Sequence, residues 1–148
     1  MIIDLNKLKR EGKTESEFVF DYVANENVLD LPAAKFGGAV KVTAFIELSG
    51  RDVFADITLD YVIKGECSRC LEPAEQKVNY SFEAKFSLTP DKEEGDYGYS
   101  GGKVDLTECV NENLILSAPA AVYCKPDCKG LCPVCGANRN FIDCGHND

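Results

Sequence analysis

The chain has 148 residues, 45% of them hydrophobic and 28% charged, with a formal net charge of −9. That length suits one domain with a small appendage, the composition is that of a globular protein and not a disordered one, and there is no internal repeat of the kind a solenoid shows. The acidic balance repels phosphate backbones at long range and attracts basic proteins, so broad contact with bare nucleic acid is disfavoured.

Residues 1–12 carry a short apolar start, Ile2, Ile3, Leu5 and Leu8, followed by a charged turn. With an acid at position 4 and no long apolar core, this is no secretory signal, and a cytoplasmic location is expected. No run approaches the ~18 apolar residues that span a bilayer, so no membrane association is expected. Glu17 to Val23 is aromatic and branched and reads as a strand. A polar segment from Ala24 to Asn27 then leads to Leu29, Leu31 and Pro32.

From Ala39 onward the alternation is clear. Val40, Val42, Ala44 and Ile46 take one face of a half-buried strand, with Lys41 and Thr43 on the other. Ser49-Gly50-Arg51-Asp52 is a tight-turn signal, and Val53 to Val62 alternates again. Val78 to Phe86 makes a third run after the turn at Cys67–Cys70 and Pro73, which predicts an antiparallel meander. Asp56 and Asp60 then fall on a solvated sheet face.

Residues 89–103 hold four glycines, four acids and no aliphatic side chain, so they read as a mobile acidic loop with Tyr97 and Tyr99 in solvent. Asp105 and Glu108 have the spacing of a capping box, predicting a helix over about 105–118 that ends before Pro119. Leu106, Val110, Leu114 and Ala118 share its inner face, and Cys109 within it reads as a small core residue. The fold class expected is α+β: a β-meander sheet with one principal helix over 1–118, and a zinc-knuckle tail over 119–148 docked on the 67–70 turn.

That tail is too poor in apolar residues to offset its own chain entropy, and cysteine chemistry must supply the difference. Seven of the eight cysteines and the single histidine lie in two clusters, Cys67-x-x-Cys70 and the stretch Cys124, Cys128, Cys132, Cys135, Cys144 and His146. Seven thiols and one imidazole are ligands enough for two tetrahedral zinc ions. In a reducing compartment clustered thiols hold metal rather than form disulfides. Leu131-Cys-Pro-Val-Cys-Gly136 is a zinc-knuckle signature, most simply completed by Cys144 and His146. Cys67, Cys70, Cys124 and Cys128 then form the second set. The rival partition gathers Cys124, Cys128, Cys132 and Cys135, leaving Cys67, Cys70, Cys144 and His146; spacing leaves both open while favouring the first.

No catalytic set accompanies these ligands. There is no spare histidine for base chemistry, no nucleophile elbow and no phosphate-cradling glycine loop, so an enzyme is not expected. Two alternatives remain in view. A zinc-dependent nucleic-acid-binding module would use Lys125, Lys129 and Arg139 against phosphates. A thiol oxidoreductase would use Cys67 and Cys70 with Arg69 beside them, although Leu71-Glu72-Pro73 reads as a turn and not the helix such chemistry wants.

Cys67-Ser-Arg-Cys-Leu-Glu-Pro73, Val104-Asp-Leu106, Leu114 to Pro119 and Cys124 to Asn138 together resemble the YceD family of large ribosomal RNA subunit accumulation proteins. The resemblance spans residues 40–146. It implies a bacterial factor, shared with chloroplasts, that is needed for large-subunit ribosomal RNA to accumulate. Tail-shortened family forms with polar residues at the equivalents of 124 and 128 favour the first ligand partition. Arg139 departs from the family pattern, which has leucine before Asn140, and is expected to touch no ligand. Combined with the acidity, the resemblance implies a basic large-subunit ribosomal protein or an rRNA–protein particle as partner.

Overall fold

A computed structural model describes residues 1–29, 31 and 33–146, so the Pro32 at the end of the polar segment lies outside the described residues. The fold is mixed α+β and mostly sheet. Four long strands build it: β2 (Glu15–Tyr22), β4 (Val40–Ser49), β5 (Asp52–Glu66) and β6 (Pro73–Ser87). They pair antiparallel in the order β2-β4-β5-β6, so the meander of three central strands is present and β2 extends it. The short β3 (Lys35–Phe36) pairs with the far end of β5, and β7 (Tyr97–Gly98) adds to β6 in parallel. The β5–β6 hairpin is longer than the sequence predicts: pairing runs from Val53↔Phe86 to Glu66↔Pro73.

Period-two alternation decides the inner face. Val40, Val42, Ala44 and Ile46 of β4 and Val53, Ala55, Ile57, Leu59, Tyr61 and Ile63 of β5 are buried. The principal helix, α2 (Thr107–Ser117), contributes Cys109, Val110 and Leu114 to the same core, with Leu106 just before it. Two inner-face tyrosines tie sheet to helix: the Tyr22 hydroxyl donates to Asn111 Oδ1 at 2.7 Å, and Tyr61 shares a hydrogen bond with Ser117 at 2.7 Å. Cys109 is a core thiol as expected, its ionisation pushed up to about 12 by burial.

Three local expectations differ from the structure. The first residues form β1 (Ile2–Asp4) and a six-residue α1 (Leu5–Arg10), with Asp4 accepting from the Asn6 and Lys7 amides. Strand β1 pairs with β8 (Lys103–Asp105), which places Ile3, Leu5 and Leu8 in the core. The capping box is absent: Leu106 occupies the N-cap of α2 with no side-chain cap, while Asp105 binds the Thr107 amide and hydroxyl. The acidic loop is pinned, because Tyr97 packs on Phe86 with ring centroids 5.4 Å apart and its hydroxyl donates to Glu112. The Tyr99 hydroxyl donates to the Arg51 carbonyl. No helix among the described residues is long and apolar enough to cross a membrane.

Candidate metal centre

Both cysteine clusters are built on the same backbone device. At the tip of the β5–β6 hairpin the Leu71 amide donates to the Cys67 carbonyl at 2.9 Å, and the Cys67 amide donates to Glu72 at 2.7 Å. In the tail the Gly136 amide donates to the Cys132 carbonyl at 2.8 Å, and the Cys132 amide to Ala137 at 2.8 Å. The two turns therefore match residue for residue, each presenting two sulfurs from one edge. Each also needs a left-handed residue after its second cysteine. Gly136 takes it at φ 75° without penalty, whereas Leu71 takes it at φ 64°.

The turns close on partners from the tail. The Ser68 amide donates to the Val122 carbonyl at 2.7 Å, and the Leu131 amide to the Arg69 carbonyl at 3.2 Å, so the tail runs along the hairpin tip. Gly130, at φ 77°, permits that approach: a Cβ there would stand 3.4 Å from the Arg69 carbonyl oxygen. Cys67, Cys70, Cys124 and Cys128 gather in one group, and Cys132, Cys135, Cys144 and His146 in another, each group's ligand atoms within 4.8 Å of one another. The alternative pairing of Cys124 and Cys128 with Cys132 and Cys135 is not the one the fold assembles.

The spacing suits a small tetrahedral ion. Cys67 and Cys128 sulfurs are 3.6 Å apart, Cys70 and Cys124 sulfurs 3.6 Å, and Cys132 Sγ lies 3.5 Å from His146 Nδ1. A tetrahedron with zinc–sulfur bonds of about 2.3 Å has sulfur–sulfur edges of about 3.8 Å. These distances are far too long for disulfides, and all eight cysteines are free thiols. The donor set of four thiols in one group, and three thiols with an imidazole in the other, fits a structural zinc ion in each.

The electrostatics divide the thiols. Burial pushes the Cys67 thiol up, but the Cys70, Cys124 and Arg69 backbone groups outweigh it and hold the thiol at about 6. In the second group the Cys135 amide and its neighbours hold Cys132 at about 5 against burial. Asn140 is the main cause of the lowering at Cys128, ahead of the opposing effect of burial. Cys124 is pushed up to about 12 by burial and by the adjoining thiols. Each group thus has at least one thiol primed to give up its proton to a cation.

Three polar residues behave otherwise than the sequence predicts. The Arg69 guanidinium donates to the Cys128 carbonyl at 3.0 Å and stacks 4.9 Å above the Tyr123 ring. It clamps the tail, while its backbone is among the groups that lower the Cys67 thiol. Arg139, expected to touch no ligand, contributes to the lowering of the Cys132 thiol and reaches the His146 carbonyl at 3.4 Å. It is therefore occupied within the lobe, while Lys125 and Lys129 are exposed. Asn140, which spacing rules pass over, donates to the Cys128 sulfur at 3.3 Å. The only signal for it in the sequence is its place inside the loop between Cys135 and Cys144.

Leu71 provides a test of the turn geometry. Replacing it by glycine removes the left-handed penalty of about 1 kcal/mol and is expected to raise the melting temperature of metal-loaded protein by roughly 3 °C. A lowered melting temperature would mean the exposed leucine contributes contacts that outweigh its strain.

Comparison with known proteins adds the family. The family model described as "Large ribosomal RNA subunit accumulation protein YceD" matches residues 55–148. An uncharacterised protein of Mycobacterium tuberculosis (strain ATCC 25618 / H37Rv) is 30% identical, over 73% of this chain and 55% of its own length. An uncharacterised protein of Mycobacterium leprae (strain TN) is 28% identical, over 80% of this chain and 57% of its own length. The large ribosomal RNA subunit accumulation protein YCED homolog 1, chloroplastic, of Zea mays is 28% identical, over 53% of this chain and 38% of its own length. The chain thus spans little more than half the length of the mycobacterial relatives. No solved structure matches it significantly.

Proposed function

The chain belongs to the YceD family of large ribosomal RNA subunit accumulation proteins, and from that premise we propose a non-enzymatic ribosome-biogenesis factor. It docks a basic large-subunit ribosomal protein, free or within an rRNA–protein particle, in the bacterial cytoplasm. Zinc would be held by Cys67, Cys70, Cys124 and Cys128 at one site, and by Cys132, Cys135, Cys144 and His146 at the other. Four protein ligands per ion leave no open position for substrate, so the metal supplies cross-links and not Lewis acidity. The tail over 119–148 acts in this reading as a lobe clipped to the hairpin tip.

The observation that carries the partner's chemistry is the outer face of the sheet. Phe45 is 39% exposed and Phe54 43% exposed there, on neighbouring strands. The strand register sets Glu17 and Asp56 on either side of Phe45, and Glu47 and Lys85 on either side of Phe54. Asp56 in turn faces Glu83, and Glu47 faces Glu15, so like charges stand directly opposite one another. Lys85 is engaged by Asp96 at 3.6 Å. Such an arrangement costs the free sheet stability. It is complementary to a polypeptide that brings arginine or lysine around an apolar side chain.

Binding assays with individual large-subunit ribosomal proteins and with a protein-free ribosomal RNA transcript, each titrated with salt, test this. Affinity is expected for a basic ribosomal protein and not for the transcript at physiological salt. Tight binding to the transcript alone, falling steeply with salt, would instead favour the nucleic-acid module reaching phosphates through Lys125 and Lys129.

A further inference from the structure

Cys128 belongs to the first ligand group, yet besides Cys67 a side chain from the loop closed by the second group also touches its sulfur. Asn140 lies between Cys135 and Cys144, and its Nδ2 is 3.3 Å from Cys128 Sγ. The same nitrogen donates to Asn138 Oδ1 at 2.9 Å, and the Asn140 amide donates to that oxygen at 3.0 Å, which fixes the side chain's direction. Its Oδ1 accepts from the Lys129 amide at 2.9 Å, one residue beyond Cys128. A backbone bond from the Arg139 amide to the Gly130 carbonyl, 2.9 Å, ties the same two segments. The 136–143 loop therefore grips both the sulfur and the backbone of a ligand to the other site.

We infer that Asn140 couples the two metal sites: an ion held by Cys132, Cys135, Cys144 and His146 closes the loop, and the closed loop delivers an N–H to the Cys128 sulfur that tightens binding at the first site. The inference rests on the zinc reading above. Its physics is that of a group outside the ligand set. A sulfur bound to a cation carries negative charge, and a donor already aimed at it stabilises the loaded form. With the second site empty, the loop is released and orienting Asn140 costs entropy that the first site must offset. Linkage makes the effect mutual, so loading the first site tightens the second by the same factor.

The test is a double-mutant cycle on the full chain, reading Co²⁺ and then Zn²⁺ affinity against a chromogenic chelator. Four thiolates at one site and three at the other give charge-transfer bands of different intensity, so the two are read separately. Cys144→Ser, which opens the loop, is expected to lower first-site affinity about 10- to 100-fold. Asn140→Ala is expected to lower it comparably and to move the first site's charge-transfer band to lower energy. The double variant should lose little more than either single one. Asn140→Asp keeps the acceptor for Lys129 but not the donor for Cys128, so it should weaken the first site even with the loop intact. Additive losses, or a first site indifferent to Cys144→Ser, overturn the coupling while leaving two bound ions in place. A chain that takes up no metal overturns the zinc reading beneath it as well.

Discussion

Stripping metal from the purified chain is expected to unfold the segment from Pro119 to His146 while the sheet stays assembled. Elemental analysis should find two zinc ions per chain beforehand and none after exhaustive chelation. Among the described residues no helix or strand follows α2, which ends at Ser117; beyond it the backbone is held by turns, an isolated bridge between Leu131 and Asn138, and hydrogen bonds to the hairpin tip. The apolar side chains of this segment are largely in solvent: Phe141 is 80% exposed, Val134 70% and Ile142 55%, and Val122 is the one aliphatic side chain fully buried among its described residues. Against this thin interior, a structural zinc ion contributes an apparent 10–16 kcal/mol, roughly the whole stability of a domain. Limited proteolysis should cut the tail of the stripped protein within 119–146 and spare β4, β5 and β6. Cys109→Ser, a change in the core, should keep both ions, whereas Cys70→Ser should lose one. If the stripped tail kept its protease resistance, the metal would not be what shapes it.

The charge reversal Glu83→Lys is expected to move stability and binding in opposite directions. Glu83 stands directly opposite Asp56 in the β5–β6 register, both exposed. Turning that repulsion into an attraction is expected to raise the free protein's stability by about 0.2–1 kcal/mol, an effect that shrinks in high salt. The same substitution places a cation on the surface assigned to a basic partner. Affinity for that partner is expected to fall at least about tenfold at physiological salt, mainly through slower association. Phe54→Ala, beside it, should weaken binding through a faster dissociation rate. A merely structural role for the face would give the gain in stability with no loss of binding, and that pair of measurements would move the docking surface elsewhere.

Much of this was legible residue by residue. The alternation from Val40 to Ile46 and from Val53 to Val62 located the central strands because burial on one face enforces a period of two. The cysteine spacings marked the residues that the fold gathers into two groups, because a tetrahedral ion would constrain local backbone in this way. What resisted reading depends on tertiary contact. Helix α1 is six residues long, too short for periodicity to register, although Asp4 followed by Leu5 and Leu8 carries its cap and its inward face. The loop over 89–103 looks mobile by composition, yet Tyr97 finds Phe86 and Glu112, partners more than ten residues away. Asp105 and Glu108 have the right spacing for a capping box, but β8 holds Asp105 extended and the helix begins a residue later. Asn140 and Arg139 act on sulfurs in ways no spacing rule encodes.

The fifteen-residue strands of the β5–β6 hairpin place Phe54 near one end and Cys67 just past the other. At about 3.3 Å per residue this is on the order of 40 Å, several times the distance over which salt water lets charges sense each other. The two ends of this beam are therefore electrically deaf to one another. Oxidation of the thiols at one end would leave the charges around Phe45 and Phe54 at the other undisturbed.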